Sequence, residues 1–169
     1  MADRYIRNLI TWIIVILGTI ITGFCVIYQY RHYAIPKSVT SSRYVNLPRS
    51  KVEYRIESIT TKDRKYTEIS GWIFVKKQKP EKFVTRLALY EDNSSKNLVF
   101  PLKMVKRVDI AEKRKQPPTA YNYINSGFSG YIPNKYTANQ HYKIGFLIAD
   151  GQKTRFVRTG IDYKVGDTK

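Results

Sequence analysis

Residues 142–163 read YKIGFLIADGQKTRFVRTGIDY, which is the pattern of two antiparallel strands joined by a tight turn. In the first half, apolar side chains alternate with Lys143 and Gly145, as expected for a strand with one buried face. Asp150-Gly151 follows, and an Asp-Gly pair between two apolar-patterned segments is a strong signal for a β-hairpin. We therefore predict strands over His141–Ala149 and Thr154–Tyr163.

Upstream of the hairpin, five further segments are rich in β-branched and aromatic residues and are separated by turn signals. Seven short strands with regular turns predict an all-β fold, a seven-stranded antiparallel β-sandwich of immunoglobulin-like type. The cysteine pair of true immunoglobulin domains is absent, so the order of the strands in the sandwich stays open. The five upstream strands are predicted at Val52–Ile59, Thr67–Lys76, Phe83–Tyr90, Leu98–Val105 and Gly127–Ile132.

A very different segment precedes the β region, because Leu9–Tyr28 (LITWIIVILGTIITGFCVIY) contains no charged side chain. About 20 apolar residues are enough to cross the hydrocarbon core of a bilayer as a helix. A cleaved signal peptide would have a shorter apolar core, and a buried core helix would have a polar stripe. A lipid-modified Cys25 would follow a small residue, whereas Phe24 precedes it here. We therefore predict a single transmembrane helix over residues 9–30.

The predicted helix divides the chain into four segments. Residues 1–8 form a short cytoplasmic N-terminus, and residues 31–50, which are mostly polar and contain two prolines, form a stalk. Residues 51–169 form the sandwich domain. The bases that flank the helix slightly favour this domain inside the cell, but long domains cross membranes largely regardless of such charges. A short N-terminus before an uncleaved apolar helix is the usual layout of a protein with its bulk outside, so we expect an extracytoplasmic domain.

The β region carries almost all of a large positive charge. The chain has 30 bases and 13 acids, and residues 1–8 hold two bases and one acid, so +16 of the total charge of +17 lies beyond them. Such a domain attracts polyanions, such as phosphate-bearing wall polymers, acidic glycans or anionic lipids. The alternative is that the charge only keeps the domain soluble. No zinc finger, helix-turn-helix or RNA-binding signature accompanies the bases, so we expect no specific nucleic-acid partner.

Four short motifs follow one another along the β region: GWIF at 71–74, KRVD at 106–109, SGF at 126–128 and YKIG at 142–145. Together they resemble a class of membrane-anchored envelope domains of Gram-positive bacteria, particularly lactic-acid bacteria, that occur near cell-surface polysaccharide machinery. The resemblance implies a β-sandwich in the cell envelope, and it implies no catalytic residues.

The residues of these motifs also have ordinary structural interpretations. Gly71 suits a bulge or a close approach of strands, and Trp72 is expected in the core. Arg107 and Asp109 lie two residues apart, so on a strand they would share one face and form a salt bridge.

The sequence lacks the motifs of the common catalytic sites. Its one cysteine lies in the apolar segment, and neither His32 nor His141 has a second ligand at metal-binding spacing. There is no G-x-S-x-G elbow, no P-loop and no glycine-rich dinucleotide turn. Several carboxylates could supply the pair that glycoside hydrolysis needs, but nothing in their spacing selects two of them. We therefore expect neither an enzyme nor a metal or cofactor site.

Binding is the more promising activity, and the long connection Asp109–Ser126 is where we expect it. The connection places bases beside tyrosines, and aromatic rings that stack on sugars next to bases that hold phosphates suit a charged glycan. The alternatives are that the connection only links the two sheets and that the tyrosines pack inside the sandwich. The candidate polymer-binding residues are Lys113, Arg114, Lys115, Tyr121, Tyr123 and Lys135.

The sequence therefore predicts a non-catalytic single-pass envelope protein. Its basic sandwich would bind or organise an anionic cell-surface polymer, or assist the machinery that assembles the polymer. A second interpretation is a docking subunit that joins another membrane protein through an exposed strand edge. A glycan-active enzyme is the third.

Overall fold

The computed structural model describes residues 2–40, 44–62, 65–114, 121–138 and 140–164. The chain forms two compact units, residues 1–35 and residues 36–169. The first unit is a single helix, α1, over Ala2–Ala34. Its stretch Ile6–Gln29 is long and apolar enough to cross a membrane, and none of it is buried against protein.

Between Leu9 and Tyr28 the polar side chains are those of three threonines, and each satisfies its hydroxyl inside the helix. Thr11, Thr19 and Thr22 each donate a hydrogen bond of 2.8–2.9 Å to the carbonyl four residues earlier. A hydroxyl bonded in this way needs no partner from a hydrocarbon environment, so these residues are compatible with a membrane-spanning helix.

The second unit is built from two β-sheets. One sheet has six strands in the order β1-β6-β5-β9-β10-β2, and the other has four in the order β3-β4-β8-β7. Every pairing is antiparallel except that of β2 with β10. The strands are β1 Lys37–Thr40, β2 Val45–Asn46, β3 Val52–Lys62, β4 Tyr66–Val75, β5 Val84–Tyr90, β6 Lys96–Pro101, β7 Lys103–Val105, β8 Gly127–Pro133, β9 Tyr142–Ala149 and β10 Thr154–Tyr163.

The prediction of a β-rich fold behind an apolar N-terminal helix is confirmed, and all seven predicted segments contain strands. The hairpin of β9 and β10 is present, with Ala149 opposite Thr154. The strand number nevertheless exceeds seven in the described residues, partly because the predicted strand Leu98–Val105 is split at Leu102. The residues before Leu102 pair in the six-stranded sheet and those after it in the four-stranded sheet. One segment with an alternating sequence pattern therefore contributes a strand to each of the two sheets.

The segment 31–50 differs from the predicted stalk. Helix α1 extends to Ala34, β1 pairs with β6, and β2 pairs with β10. These two strands have four and two residues, and both lie at the edges of the six-stranded sheet. Backbone pairing with a neighbouring strand holds them, and such pairing leaves no alternating pattern of apolar residues in so short a segment.

The two sheets pack against each other across one hydrophobic core. Ile69, Ile73 and Phe128 of the four-stranded sheet meet Leu87, Ile144 and Phe146 of the six-stranded sheet, and all are at most 2% exposed. The rings of Phe128 and Phe146 lie 5.3 Å apart in an edge-to-face arrangement.

Each sheet also buries a small apolar cluster on its outer face, away from this core. The outer cluster of the four-stranded sheet contains Trp72, Phe74, Ile110 and Tyr123. That of the six-stranded sheet contains Ala88, Tyr90, Val99, Leu147 and Phe156. Trp72 is thus buried as predicted, at 9% exposure, but it lies outside the sandwich core. It is adjacent in its strand to Ile73, which occupies the core, and successive strand residues point to opposite faces.

Candidate functional site

A groove of about 300 Å³ opens on the outer face of the four-stranded sheet, beside a short helix, α2, over Val108–Lys113. We call it the α2 groove. Two of its lining residues come from β3, one from β4, and the others from α2 and its two ends. The lining consists of the cations Arg55, Arg107, Lys113 and Arg114, the carboxylates Glu57 and Asp109, and the apolar residues Trp72 and Ile110.

Arg107 connects the sheet to the start of α2. Its guanidinium donates to both oxygens of Asp109, at 2.8 Å from Nε and 2.7 Å from Nη2. It also donates to both oxygens of Glu57, at 2.6 Å from Nη1 and 3.0 Å from Nη2. Paired hydrogen bonds between a guanidinium and a carboxylate are both strong and directional. Arg107 therefore fixes α2 against β3 through four charge-assisted contacts.

Two glycines make this arrangement possible. The register of β3 and β4 shifts between Ile56, opposite Gly71, and Ser58, so Glu57 lies in a bulge without a partner residue in β4. A Cβ atom on Gly71 would lie 2.1 Å from the carbonyl oxygen of Arg55, so any larger residue would displace the bulged strand. A bulge at Gly71 was among the predictions, and the structure confirms it.

The second glycine accommodates the arginine itself. A Cβ atom on Gly127 would lie 2.6 Å from Cγ of Arg107, so the aliphatic stem of the arginine occupies the space that a side chain would fill. The GWIF, SGF and KRVD motifs thus meet at one place, each with a steric or ionic reason for its residues. The pairing of Arg107 with Asp109 is confirmed, although it occurs at the start of a helix and not on a strand.

These contacts hold both partners of the Arg107–Asp109 pair in their charged forms. The hydrogen bonds from Arg107 lower the pKa of Asp109 to about 2, and those to Asp109 and Glu57 raise the pKa of Arg107. A carboxyl group with so low a pKa is ionised at neutral pH and cannot donate a proton. Asp109 therefore does not suit the general-acid role that glycoside hydrolysis requires.

The other three cations of the groove are less engaged. Arg114 lies 3.1 Å from Glu53, but that carboxylate oxygen makes no directed hydrogen bond, and Lys76 lies 3.8 Å from the same group. Arg55 and Lys113 are exposed, and neither has an ion-pair partner among the described residues. With four cations against two carboxylates, the lining carries two net positive charges.

A stack of aromatic rings begins at the α2 groove and continues beneath the outer face of the four-stranded sheet. Trp72 stacks on Phe74 with ring centroids 5.7 Å apart, and Phe74 stacks on Tyr123 at 4.0 Å. The hydroxyl of Tyr123 accepts a hydrogen bond of 3.0 Å from the backbone N–H of Lys77. Of the three rings, only Trp72 lines the groove.

The structure separates the six candidate binding residues. Lys113 and Arg114 line the α2 groove, and Tyr121 is 43% exposed. Tyr123 is 9% exposed, its ring packs on Phe74, and it is not among the residues that line the groove. Lys115 lies outside the described residues.

Lys135 lies in a different place. It follows the end of β8 that is distant from Gly127, where its Nζ atom sits 4.8 Å from the ring centroid of Tyr136. The length of β8 puts roughly 20 Å between this turn and the groove. Lys135 therefore does not form one surface with Lys113 and Arg114.

The β3 half of the groove was not predicted from the sequence. Arg55 and Glu57 lie in a segment that was predicted only as a strand, and 50 residues separate Glu57 from Arg107. The Gly71 signal for a bulge was visible, but the residue displaced by the bulge was not.

Within the described part of the chain, no group of three or more histidine, cysteine, aspartate or glutamate side chains could hold a metal ion. Comparison of the chain with protein-family models, with curated proteins and with solved structures finds no match.

Proposed function

We propose that this protein is a single-pass envelope protein whose basic β domain faces outward and binds an anionic cell-surface polymer without catalysing a reaction. The apolar stretch of α1 supports the anchor. The outward orientation is compatible with the basic flanks of the helix, because long domains cross membranes largely regardless of such charges. Two sheets packed across one core support an immunoglobulin-like sandwich. The motif resemblance supports a Gram-positive envelope and a role beside polysaccharide machinery.

The observation that carries the proposal is the α2 groove, where exposed cations without ion-pair partners in the described structure lie beside an indole ring. If the bases served only solubility, they could be paired with acids or spread evenly over the surface. Here an ion-paired arginine supports the groove while other cations face solvent, and +16 on residues 9–169 adds long-range attraction for a polyanion.

The test of binding uses the full chain in a neutral detergent, with poly(glycerol phosphate) as the anionic polymer and dextran as the neutral control. We expect binding of the phosphate polymer that weakens strongly between 0.1 and 1 M salt, because the screening length falls from about 10 Å to about 3 Å. Absence of binding at low salt would reject the polymer role.

The test of topology uses intact protoplasts. External protease should digest the β domain, and the chain should stay in the membrane fraction after a high-salt wash. Protection of the β domain would place it inside the cell and reverse the proposed orientation.

A second candidate function is a docking subunit, and one observation favours it. Strand β3 has 11 residues and forms an edge of the four-stranded sheet, whereas the opposite edge, β7, has three. A long edge strand can pair with a strand of another protein. A photo-cross-linker at exposed Thr60 would then give a discrete adduct with one membrane protein, while a cross-linker at Ser129 on the interior strand β8 would not.

A further inference from the structure

We infer that the α2 groove is a subsite for one phosphate-bearing unit of the polymer, held by Arg55, Lys113 and Arg114, with Trp72 against the carbon skeleton of the unit. This inference rests on the proposed function, and it names the place and the chemical class of the ligand. The alternative is that the polymer binds diffusely over the basic surface.

The cations of the groove differ in how they are paired, and this difference favours a defined subsite. Arg107 is saturated by its two carboxylates, so it is a positioning residue that holds Glu57 and Asp109 in place and offsets one of their two negative charges. Arg55 and Lys113 have no ion-pair partner in the described residues. Among the described residues, the one ion-pair contact of the Arg114 side chain is the undirected contact with Glu53, so an anion could replace that contact.

Phosphate is the anion that these groups fit. A guanidinium offers two parallel N–H donors that match two oxygens of a phosphate, and an ammonium group adds a compact charge. Arg55 and Lys113 approach the groove from different elements, β3 and the end of α2, so they can contact different oxygens of one group.

The size and the lining of the groove limit the ligand to one unit. Its volume of about 300 Å³ is at the lower end of the range for small-molecule sites. Trp72, which lies opposite Arg55 in the strand register, provides an apolar surface, and its indole N–H has no hydrogen-bond partner among the described residues. Apolar surface and a free donor suit a sugar or a polyol joined to the phosphate.

The experiment compares two double variants of the full chain in neutral detergent at 0.15 M salt. Arg55→Gln/Lys113→Gln removes two cations from the α2 groove, and Lys96→Gln/Lys153→Gln removes two exposed cations from the six-stranded sheet and its β9–β10 turn. The probe is poly(glycerol phosphate), and thermal melting checks that both variants are folded.

We expect the groove variant to bind about tenfold more weakly than the control variant, which corresponds to about 1.4 kcal/mol. Trp72→Phe keeps an aromatic ring in the outer cluster but removes the indole N–H, and we expect it to weaken binding severalfold at unchanged salt dependence. Equal losses in the two double variants would overturn the subsite and leave the polymer role intact. No binding by the unaltered chain would instead reject the polymer role itself.

One further arm distinguishes the source of the phosphate. Vesicles of phosphatidylglycerol present phosphate as a lipid headgroup, with phosphatidylcholine vesicles as the control. If the groove variant loses binding to phosphatidylglycerol vesicles but binds soluble polymer as well as the control variant does, the groove recognises a membrane surface, and the inference is overturned.

Discussion

The outer faces of the two sheets differ in how they are covered, although each buries a small apolar cluster. On the six-stranded sheet, partly buried Val39 and Tyr44 pack against the outer cluster, and the Arg158 guanidinium lies 5.4 Å from the ring centroid of Tyr90. On the four-stranded sheet, α2 and Tyr123 cover only one end, and the charged α2 groove remains beside them. Val39 and Tyr44 thus cover the outer cluster of the six-stranded sheet, whereas the α2 groove stays open beside the cluster of the four-stranded sheet. The proposed binding groove therefore lies on the face opposite the one that these segments cover.

The largest expected effect comes from removing the segments that cover the six-stranded sheet. A chain that begins at Ser50 lacks β1, β2 and Tyr44. It also lacks the hydrogen bond of 2.8 Å that the N–H of Leu47 donates to the carbonyl of Phe156. We expect its free energy of unfolding to be lower by roughly 3 kcal/mol or more than that of a chain that begins at Pro36. The reason is that apolar surface and strand edges become exposed. Urea denaturation of the two chains measures the difference.

The α2 groove should survive this truncation if the two faces are independent. Binding of poly(glycerol phosphate) by the truncated chain, measured below its unfolding midpoint, should equal that of the longer chain. A truncated chain of equal stability would contradict the role assigned to β1 and β2.

A smaller contrast comes from deleting one ring from each outer cluster. Phe156 is 1% exposed, and we expect Phe156→Ala to cost about 3–5 kcal/mol, as for other buried aromatic residues. Trp72→Ala should cost less, about 3 kcal/mol, because six-residue α2 can settle into the space. Only Trp72→Ala should also weaken polymer binding. A larger cost for Trp72→Ala in urea denaturation would reverse the comparison.

Two arginines offer a matched test on the two faces. Arg107→Gln breaks four hydrogen bonds to carboxylates and should cost about 1–2 kcal/mol, since the side chain is only 21% exposed. Arg158→Gln removes a cation from above Tyr90 and Phe156 and should cost about 0.5–1 kcal/mol. Only the first change should show a marked salt dependence of its cost. Chemical denaturation at 0.1 and 1 M salt measures both values.

The smallest expected effect is that of pH on the four-stranded face. The pKa of Asp109 is lowered from 3.8 to about 2 in the folded chain, so folding favours its ionised form. Its contribution to the free energy of unfolding is therefore present above about pH 4 and is lost as the pH falls from 4 to 2. Melting temperatures across this range should fall less steeply for Asp109→Asn than for the unaltered chain. Identical slopes would show that the carboxylate is not ion-paired in solution.

The positions of the strands could be predicted from the sequence, but the contacts between the strands could not. The hairpin of β9 and β10 was predicted because its turn and its alternation are local features. The split at Leu102 was not, because alternation continues unchanged while the chain passes from one sheet to the other. Burial of Trp72 was predicted, but not its face, since both faces of β4 carry large apolar residues.

For the candidate site as well, the contacts of the residues could not be predicted from the sequence. Lys113 and Arg114 were selected from a basic stretch, and they do line the α2 groove. Tyr123 and Lys135 were selected for their composition as well, and the structure buries one and places the other at the far end of β8. A residue type indicates which chemistry a side chain can perform, but not which neighbours it has.

The sequence by itself determined the apolar N-terminal helix, the positive charge of the rest and the location of most strands, because length, composition and alternation are local properties. Only the tertiary structure decided which sheet each strand joins, which face of β4 is covered by α2, and that Arg107 meets Glu57. These features depend on contacts between residues distant in the chain, and on space left by Gly71 and Gly127 where neighbouring groups approach. Such contacts leave no periodic pattern in the sequence, so they emerge only when distant strands and α2 come together in the fold.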